Sequence, residues 1–285
     1  MGAQMTTPEA PPQQIPPGLF CITTFGPIRH ETAWSVLEAR SFTERHGINN
    51  IKYAMEPATL VERARNAAAR QALREGHQYL FFCDGDTVLP PDAILHTLRT
   101  AYIEYPHADV VGGYVPLRGE MALPTIDTGT GTWESWFPGS GVIEVIRTGC
   151  AFLLIKRHVL EALSDPWFRV RVPSRPIDFM LEVDNFARIK FDGRNPMRDA
   201  PGDVWAKLEK CARDDPSASP ENFTPIEVGE DSGFCDRARA AGFRIFVNTD
   251  IACGHVDTKI IVGADHRRAC DDRDRSQRLL AGITA

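Results

Sequence analysis

The chain has 285 residues, of which 43% are hydrophobic and 25% charged, and its formal net charge is −6 at pH 7. These values are ordinary for a globular protein that buries a sizeable core. The negative charge argues against bulk electrostatic attraction to DNA, RNA or anionic lipid.

The seven cysteines are spread along the chain, odd in number and without a C-x-x-C pair. This usage favours a reducing compartment and argues against both a disulfide framework and a zinc knuckle. No stretch reaches the roughly 18 apolar residues that a membrane span needs. Residues 1–17 are rich in proline and lack an apolar core, which indicates a disordered leader and not a signal peptide. We expect a soluble, cytoplasmic protein.

Strand-like and helix-like segments alternate through the first part of the chain. Short continuous apolar runs predict strands. Apolar residues spaced to lie on one helix face, after a proline or an acidic residue, predict helices. The predicted strands are 19–23, 51–54, 79–83 and 109–115, and the predicted helices are 31–45, 57–76 and 90–105. This order indicates an α/β fold with a largely parallel sheet. Ligands of such sheets bind beyond the carboxyl ends of the strands.

The second part of the chain is less regular. Strand-like runs are predicted at 142–147 and 150–155, followed by a short helix at 157–163. Residues 165–225 mix aromatic residues, prolines and charges with little periodicity, which is typical of a functional or mobile insertion. A helix from Glu230, a strand at 243–247 and a charged tail at 266–285 complete the chain.

Asp84-Gly85-Asp86 follows the continuous apolar run 79–83, which predicts a strand buried on both faces. Two carboxylates on one turn suit a hard divalent cation such as Mn2+ or Mg2+. Such an ion could bridge to a diphosphate and supply the positive charge that the acidic chain lacks. The glycine would let backbone and ligand approach closely. An ordinary Asp-Gly turn with solvated aspartates is the alternative, and it stays open.

Two further features could carry chemistry. Glu230 and Asp231 begin a helix, where acidic residues are favourable for the helix dipole but could also act as a general base. His255 follows Gly254 after the strand at 243–247. Neutral imidazole is a competent ligand of Mn2+, although a lone histidine after a strand is more often structural.

In chain order, the Asp-x-Asp after a buried strand, the Gly-Glu-Asp helix start and the Gly-His pair resemble the GT-A glycosyltransferases. The likeness is greatest to the inverting family 2 type and its phage and bacterial relatives, and segments 60–86, 148–157 and 229–237 carry it. The resemblance implies a GT-A (Rossmann-like) nucleotide-sugar-binding fold with a mostly parallel central sheet over residues 18–265. It also implies an enzyme that moves a sugar from a nucleoside-diphosphate sugar to an acceptor hydroxyl.

The resemblance assigns residues to the nucleotide-sugar site. Thr23 and Thr24 would line the nucleotide pocket, and Arg65 would reach the base or a phosphate. Gly85 and Gly149 would lie beside the donor. The first strand ends without the acidic residue that many relatives use for the nucleobase, so a UDP-sugar and a GDP-sugar both stay open as donors.

The resemblance also assigns the metal and the proton transfer. Asp86 would ligate Mn2+ or Mg2+, His255 would complete the metal site, and Asp84 would contact the ribose or the metal. Asp231 would be the general base of an inverting transfer, with Glu230 beside it as an orienting residue or alternate base. These roles are expectations that follow from the likeness alone.

Residues 165–225 resemble no family segment, and acceptor specificity is expected there. The acceptor could be a glycan, a protein or a nucleic acid. Trp133, Trp136, Trp167 and Phe168 could stack on it, although core packing is the commoner role of large aromatic residues. Three alternative functions stay open: a retaining GT-A transferase, a sugar-phosphate nucleotidyltransferase, and a non-catalytic nucleotide-sugar binding module.

Overall fold

A computed structural model describes residues 15–24, 26–57, 60–118, 122–129, 137–169, 206, 210, 229–257 and 260–261. The chain divides into two compact units, Met1–Phe168 with Phe234–Ala285 and Arg169–Gly233. The first unit contains the central sheet. The predicted leader (apart from residues 15–17), nearly all of the insertion at 165–225 and the tail at 266–285 lie outside the described residues, so these domain boundaries stay predictions.

The described strands and helices follow the predicted order closely. The strands are β1 Gly18–Thr24, β2 Ile51–Pro57, β3 Tyr79–Asp84, β4 Thr87–Val88, β5 Val110–Tyr114, β6 Ile126–Asp127, β7 Val142–Val145, β8 Arg147–Thr148, β9 Phe152–Lys156, β10 Ile245–Ala252, β11 Gly254–Val256 and β12 Ile260–Ile261. The helices are α1 His30–Arg45, α2 Val61–Arg74, α3 Ala93–Arg99, α4 Arg157–Ala162 and α5 Glu230–Ala240. A π-helical turn, Thr100–Glu104, continues α3.

Seven strands form the central sheet in the order β2-β1-β3-β9-β5-β10-β7. Strands β1, β2 and β3 pair in parallel, as do β5 and β10. Strand β9 lies antiparallel between β3 and β5, and β7 is antiparallel at one edge. Five strands therefore point in one direction and two in the other. The α/β fold is confirmed, with a mostly parallel sheet that two antiparallel strands make mixed, whereas the GT-A assignment stays a prediction.

The apolar run of β3 faces helices on both sides of the sheet. Leu80 and Phe82 pack into one buried cluster with α2, α4 and the Phe234 end of α5. Tyr79, Phe81 and Cys83 pack into a second cluster with α1 and α3. Every residue from Tyr79 to Cys83 has no exposed surface. The absence of polar alternation in this strand follows from burial on both faces.

Trp167 and Phe168 belong to the first buried cluster, with 5% and 1% of their surface exposed. The indole nitrogen of Trp167 donates to the carbonyl of Leu160 at 2.8 Å. Core packing is thus the role of these two aromatic residues, and Trp133 and Trp136 lie outside the described residues.

Cys21, Cys83, Cys150, Cys235 and Cys253 are buried thiols and form no disulfide with one another. Cys211 and Cys270 lie outside the described residues. In the described part of the chain, no helix combines the length and apolar character that crossing a bilayer requires.

Candidate functional site

A cleft of about 690 Å³ opens at the carboxyl ends of β1 and β3. This is the edge of a parallel strand pair, where α/β sheets commonly bind ligands. The residues lining the cleft come from β1, the β1–α1 connection, the starts of α1 and α2, the end of β3, the β3–β4 turn and the segment after β5: Thr23, Thr24, Pro27, Ile28, Arg29, His30, Val61, Asp84, Gly85, Asp86 and Arg118. The Asp-Gly-Asp motif therefore lies in a cleft, as the position after β3 predicts.

Backbone hydrogen bonds hold the β3–β4 turn in place. The amide of Gly85 donates to the carbonyl of Thr23 at 2.8 Å, and the carbonyl of Gly85 accepts from the amide of Arg29 at 3.0 Å. A Cβ atom on Gly85 would lie 2.8 Å from Oγ1 of Thr24, which is too close. Glycine is needed at this position because β1 and the turn approach so tightly.

Two protein side chains, Thr23 and Arg65, donate hydrogen bonds to Asp84. The hydroxyl of Thr23 donates to Oδ1 at 2.7 Å. Nη2 of Arg65 donates to both oxygens, at 3.1 Å to Oδ1 and 3.0 Å to Oδ2. Arg65 is 3% exposed. The structure thus places Arg65 against Asp84, where its charge neutralises the carboxylate. A role for Asp84 as a metal ligand would require this contact to change.

Asp86 is positioned by a second, small sheet. Strand β11 pairs with β4 and brings His255 opposite Thr87. The amide of Val256 donates to the backbone carbonyl of Asp86 at 2.8 Å. These contacts place Nε2 of His255 3.5 Å from Oδ1 of Asp86. Nη2 of Arg118 contacts the other carboxylate oxygen, Oδ2. Two motifs far apart in the chain therefore meet at Asp86.

The protonation state of His255 follows from its surroundings. Burial lowers its pKa, the hydrogen bond to Pro116 opposes that shift, and the charge of Arg118 lowers the pKa further. Nδ1 lies 2.9 Å from the carbonyl oxygen of Pro116. A carbonyl only accepts, so Nδ1 carries the hydrogen, and a neutral ring then presents the Nε2 lone pair to Asp86.

The Asp86–His255 pair fits a divalent cation. Two acceptors face each other at 3.5 Å, and two ligands bonded at about 2.1 Å to one ion lie about 3.0 to 3.5 Å apart. Metal-binding histidines usually donate their other ring nitrogen to a carbonyl or carboxylate, as His255 does to Pro116. No group of three or more His, Cys, Asp or Glu residues in the described part of the chain is arranged to hold a metal. The remaining ligands would have to come from a bound donor or water.

The other predicted site residues are placed as follows. Thr23 and Thr24 line the cleft, and the Thr24 hydroxyl donates to the carbonyl of Gly26 at 2.7 Å. Gly149 packs against Thr125, to whose carbonyl its amide donates at 3.2 Å, and it is not among the cleft-lining residues. Its place beside the donor sugar stays a prediction.

Glu230 and Asp231 lie in the first turn of α5, within the unit Arg169–Gly233. Oδ1 of Asp231 accepts from the amide of Ser232 at 2.7 Å, which satisfies one of the open amides of the helix start. Gly229 has a φ of +89°, a left-handed conformation that favours glycine. These contacts explain why the helix begins here and leave the catalytic role untested.

Sequence reasoning missed the cleft residues Arg29, His30 and Arg118. Arg118 follows β5 after Pro116, so its position after a strand was the available signal. Nothing local to that segment indicates that its guanidinium reaches Asp86, because the contact spans 32 residues of chain.

Comparison with known proteins leaves the family open. No family model and no curated protein matches the sequence. One similar solved structure is A197 from STIV, with 17% identity, a TM-score of 0.49, and coverage of 86% of this chain and 93% of that one. Another is a glycosyltransferase involved in the glycosylation of the major capsid of PBCV-1, with 13% identity, a TM-score of 0.30, and coverage of 53% of this chain and 69% of that one. Both similarities are too weak to carry an argument about function.

Proposed function

We propose that the protein is a metal-dependent glycosyltransferase that moves a sugar from a nucleoside-diphosphate sugar to an acceptor hydroxyl, with inversion. The observation that carries the proposal is the facing pair of acceptors, Asp86 Oδ1 and His255 Nε2, 3.5 Å apart beside a cleft at the carboxyl ends of β1 and β3. A pair of that kind suits a hard divalent cation, and the cleft volume suits a nucleotide-sized ligand.

The cleft has the polarity that an anionic donor needs. Arg29 and Arg118 line it and can face phosphate oxygens, while Thr23 and Thr24 lie at its β1 wall. Arg65 and Thr23 hold Asp84 in one orientation, which leaves its carboxylate as a fixed acceptor for a ribose hydroxyl. In this proposal the base of the donor, uracil or guanine, packs against the cleft wall formed by Pro27 and Ile28.

In the chemical step that we propose, the acidic pair at the start of α5 accepts the proton and the Asp86–His255 pair holds the metal. Asp231 accepts the proton of the acceptor hydroxyl as its oxygen attacks the anomeric carbon, and the nucleoside diphosphate leaves from the opposite face. Glu230 orients Asp231 or replaces it as the base. Mn2+ or Mg2+ held by Asp86 and His255 would supply charge stabilisation for the departing diphosphate.

The test begins with donor binding. UDP-, GDP- and CMP-sugars are screened with and without Mn2+ by thermal shift and by hydrolysis of the donor. We expect one UDP- or GDP-sugar to bind in a Mn2+-dependent way, and EDTA to abolish the shift. Asp86→Asn should remove the Mn2+ dependence, whereas Asp92→Asn should not, because Asp92 is a partly exposed aspartate that does not line the cleft. If no nucleotide-sugar binds with metal present, the proposal is wrong.

Asp231→Asn separates catalysis from binding. With donor binding retained, we expect turnover to fall about 10²- to 10⁴-fold because the general base is lost. Unchanged turnover would instead favour the retaining transferase, and a wild type that binds the donor without turning it over would favour the non-catalytic binding module. The anomeric configuration of the product, determined by NMR, distinguishes retention from inversion. Release of pyrophosphate from a nucleoside triphosphate and a sugar phosphate would identify the nucleotidyltransferase.

A further inference from the structure

We infer that the guanidinium of Arg118 changes partner when the metal binds. In the metal-free protein it pairs with Asp86, and when a divalent cation binds that carboxylate it moves to the diphosphate of the donor. The inference rests on the proposed function and gives Arg118 a role in metal binding beside its contact with phosphate. It makes Arg118 the link that couples metal binding to nucleotide binding.

The first observation is that one short segment contacts both proposed metal ligands. The carbonyl of Pro116 accepts from Nδ1 of His255 at 2.9 Å. Two residues later, Nη2 of Arg118 contacts Oδ2 of Asp86. The segment is held by the Pro116–Pro124 bridge and by the amide of Leu117, which donates to the carbonyl of Leu123 at 2.7 Å. The backbone near the site is therefore anchored at the base of Arg118.

The second observation is that Arg118 is more exposed and less constrained than its partner Asp86. Asp86 is held through its backbone by β11, and its side chain is 22% exposed. The Arg118 side chain is 54% exposed. A long side chain with that exposure can leave a carboxylate at little cost, since exposed ion pairs contribute little. Arg118 is thus the partner that moves.

Electrostatic repulsion between a bound divalent cation and the guanidinium of Arg118 favours the exchange. A divalent cation between Asp86 and His255 would lie within about 4 Å of a guanidinium still bound to the same carboxylate, and two cations at that distance repel. Arg118 also lines the cleft together with Arg29, so a guanidinium released from Asp86 stays at the place where the anionic donor binds. A phosphate oxygen is its natural next partner.

The coupling predicts opposite effects on the two ligands. In Arg118→Gln no guanidinium competes with Mn2+ for Asp86. In the absence of nucleotide, we therefore expect this variant to bind Mn2+ at least about fivefold more tightly than the wild type. The nucleotide loses a partner, so the affinity for UDP or GDP at saturating Mn2+ should fall about tenfold. The factor by which Mn2+ strengthens nucleotide binding should shrink accordingly.

The experiment measures Mn2+ binding by electron paramagnetic resonance and UDP or GDP binding by calorimetry, each with and without the other ligand. Arg99→Gln is the matched control, because Arg99 is similarly exposed and pairs with Glu104 at 3.2 Å, outside the cleft. Arg118→Lys keeps the charge and should bind Mn2+ as the wild type does. Circular dichroism and thermal unfolding establish that each variant is folded.

The outcomes distinguish a failure of the inference about Arg118 from a failure of the proposed function. Unchanged or weaker Mn2+ binding by Arg118→Gln, in a wild type that binds both ligands, overturns the inference and leaves the proposed function standing. Wild-type protein that binds neither Mn2+ nor nucleotide overturns both. Tighter Mn2+ binding with weaker nucleotide binding, in Arg118→Gln and not in Arg99→Gln, supports the exchange.

Discussion

Arg65 and Arg70 lie in the same helix, α2, but have very different surroundings. Arg65 is buried and holds Asp84, whereas Arg70 makes two hydrogen bonds of 2.7 Å to Asp165 with both side chains largely exposed. Burial raises the cost of losing one partner, because the remaining charge is left without compensation. The local sequence of α2 does not indicate which of the two arginines is buried.

At the residue scale, Arg65→Met should lower the free energy of unfolding by about 2 to 4 kcal/mol, since it leaves Asp84 charged and partly buried. Arg70→Met should change it by less than about 1 kcal/mol. Urea unfolding followed by circular dichroism measures both. Adding Asp84→Asn to Arg65→Met should restore part of the loss, and equal effects of the two arginine variants would contradict this account.

At the scale of the element, β1 begins at a glycine that lies against an aromatic ring of β3. A Cβ atom on Gly18 would lie 2.0 Å from Cζ of Tyr79, and Tyr79 has no exposed surface into which it could move. We expect Gly18→Ala to destabilise the protein by about 1 to 3 kcal/mol through overpacking, measured by urea unfolding.

A pair of second-site variants tests the cause of that effect. Tyr79→Phe keeps the ring, so Gly18→Ala should cost as much in that background as in the wild type. Tyr79→Leu removes the ring, so the same substitution should cost less there. An equal cost in both backgrounds would mean that the glycine is needed for another reason.

At the scale of the whole molecule, the buried thiols make stability depend on pH. Burial raises the pKa of Cys21 to about 12, and it also raises the pKa values of Cys83 and Cys253. In the unfolded chain a thiol has a pKa of about 8.5. The stability that the protonated thiols contribute is present below that value and is lost as the pH rises through the folded pKa values.

We therefore expect the free energy of unfolding to fall as the pH rises from about 8.5 towards 11, measured by urea unfolding at each pH. A variant with Cys21→Ala, Cys83→Ala and Cys253→Ala should have a shallower pH dependence, although its stability at pH 7 is lower. The same slope in the variant and the wild type would assign the pH effect to other groups.

Much of the fold follows from local patterns. The apolar run 79–83 predicts a strand buried on both faces, and the structure places it there, between helices on either side. The predicted helix at 90–105 is α3 followed by a π-helical turn, a change in hydrogen bonding that side-chain spacing does not reveal. The antiparallel position of β9 also has no local signal, since strand direction depends on the path of the whole chain.

By itself, the sequence determined the alternation of strands and helices, the burial of β3 and the location of Asp84, Gly85 and Asp86 directly after it. These features depend on periodicity and on neighbours in the chain, which are visible in one dimension. Only the tertiary structure decided the partners of the two aspartates: Arg65 and Thr23 for Asp84, and His255 and Arg118 for Asp86. Their side chains meet because pairing of β4 with β11 and packing of α2 on the sheet bring together residues that are distant in the chain.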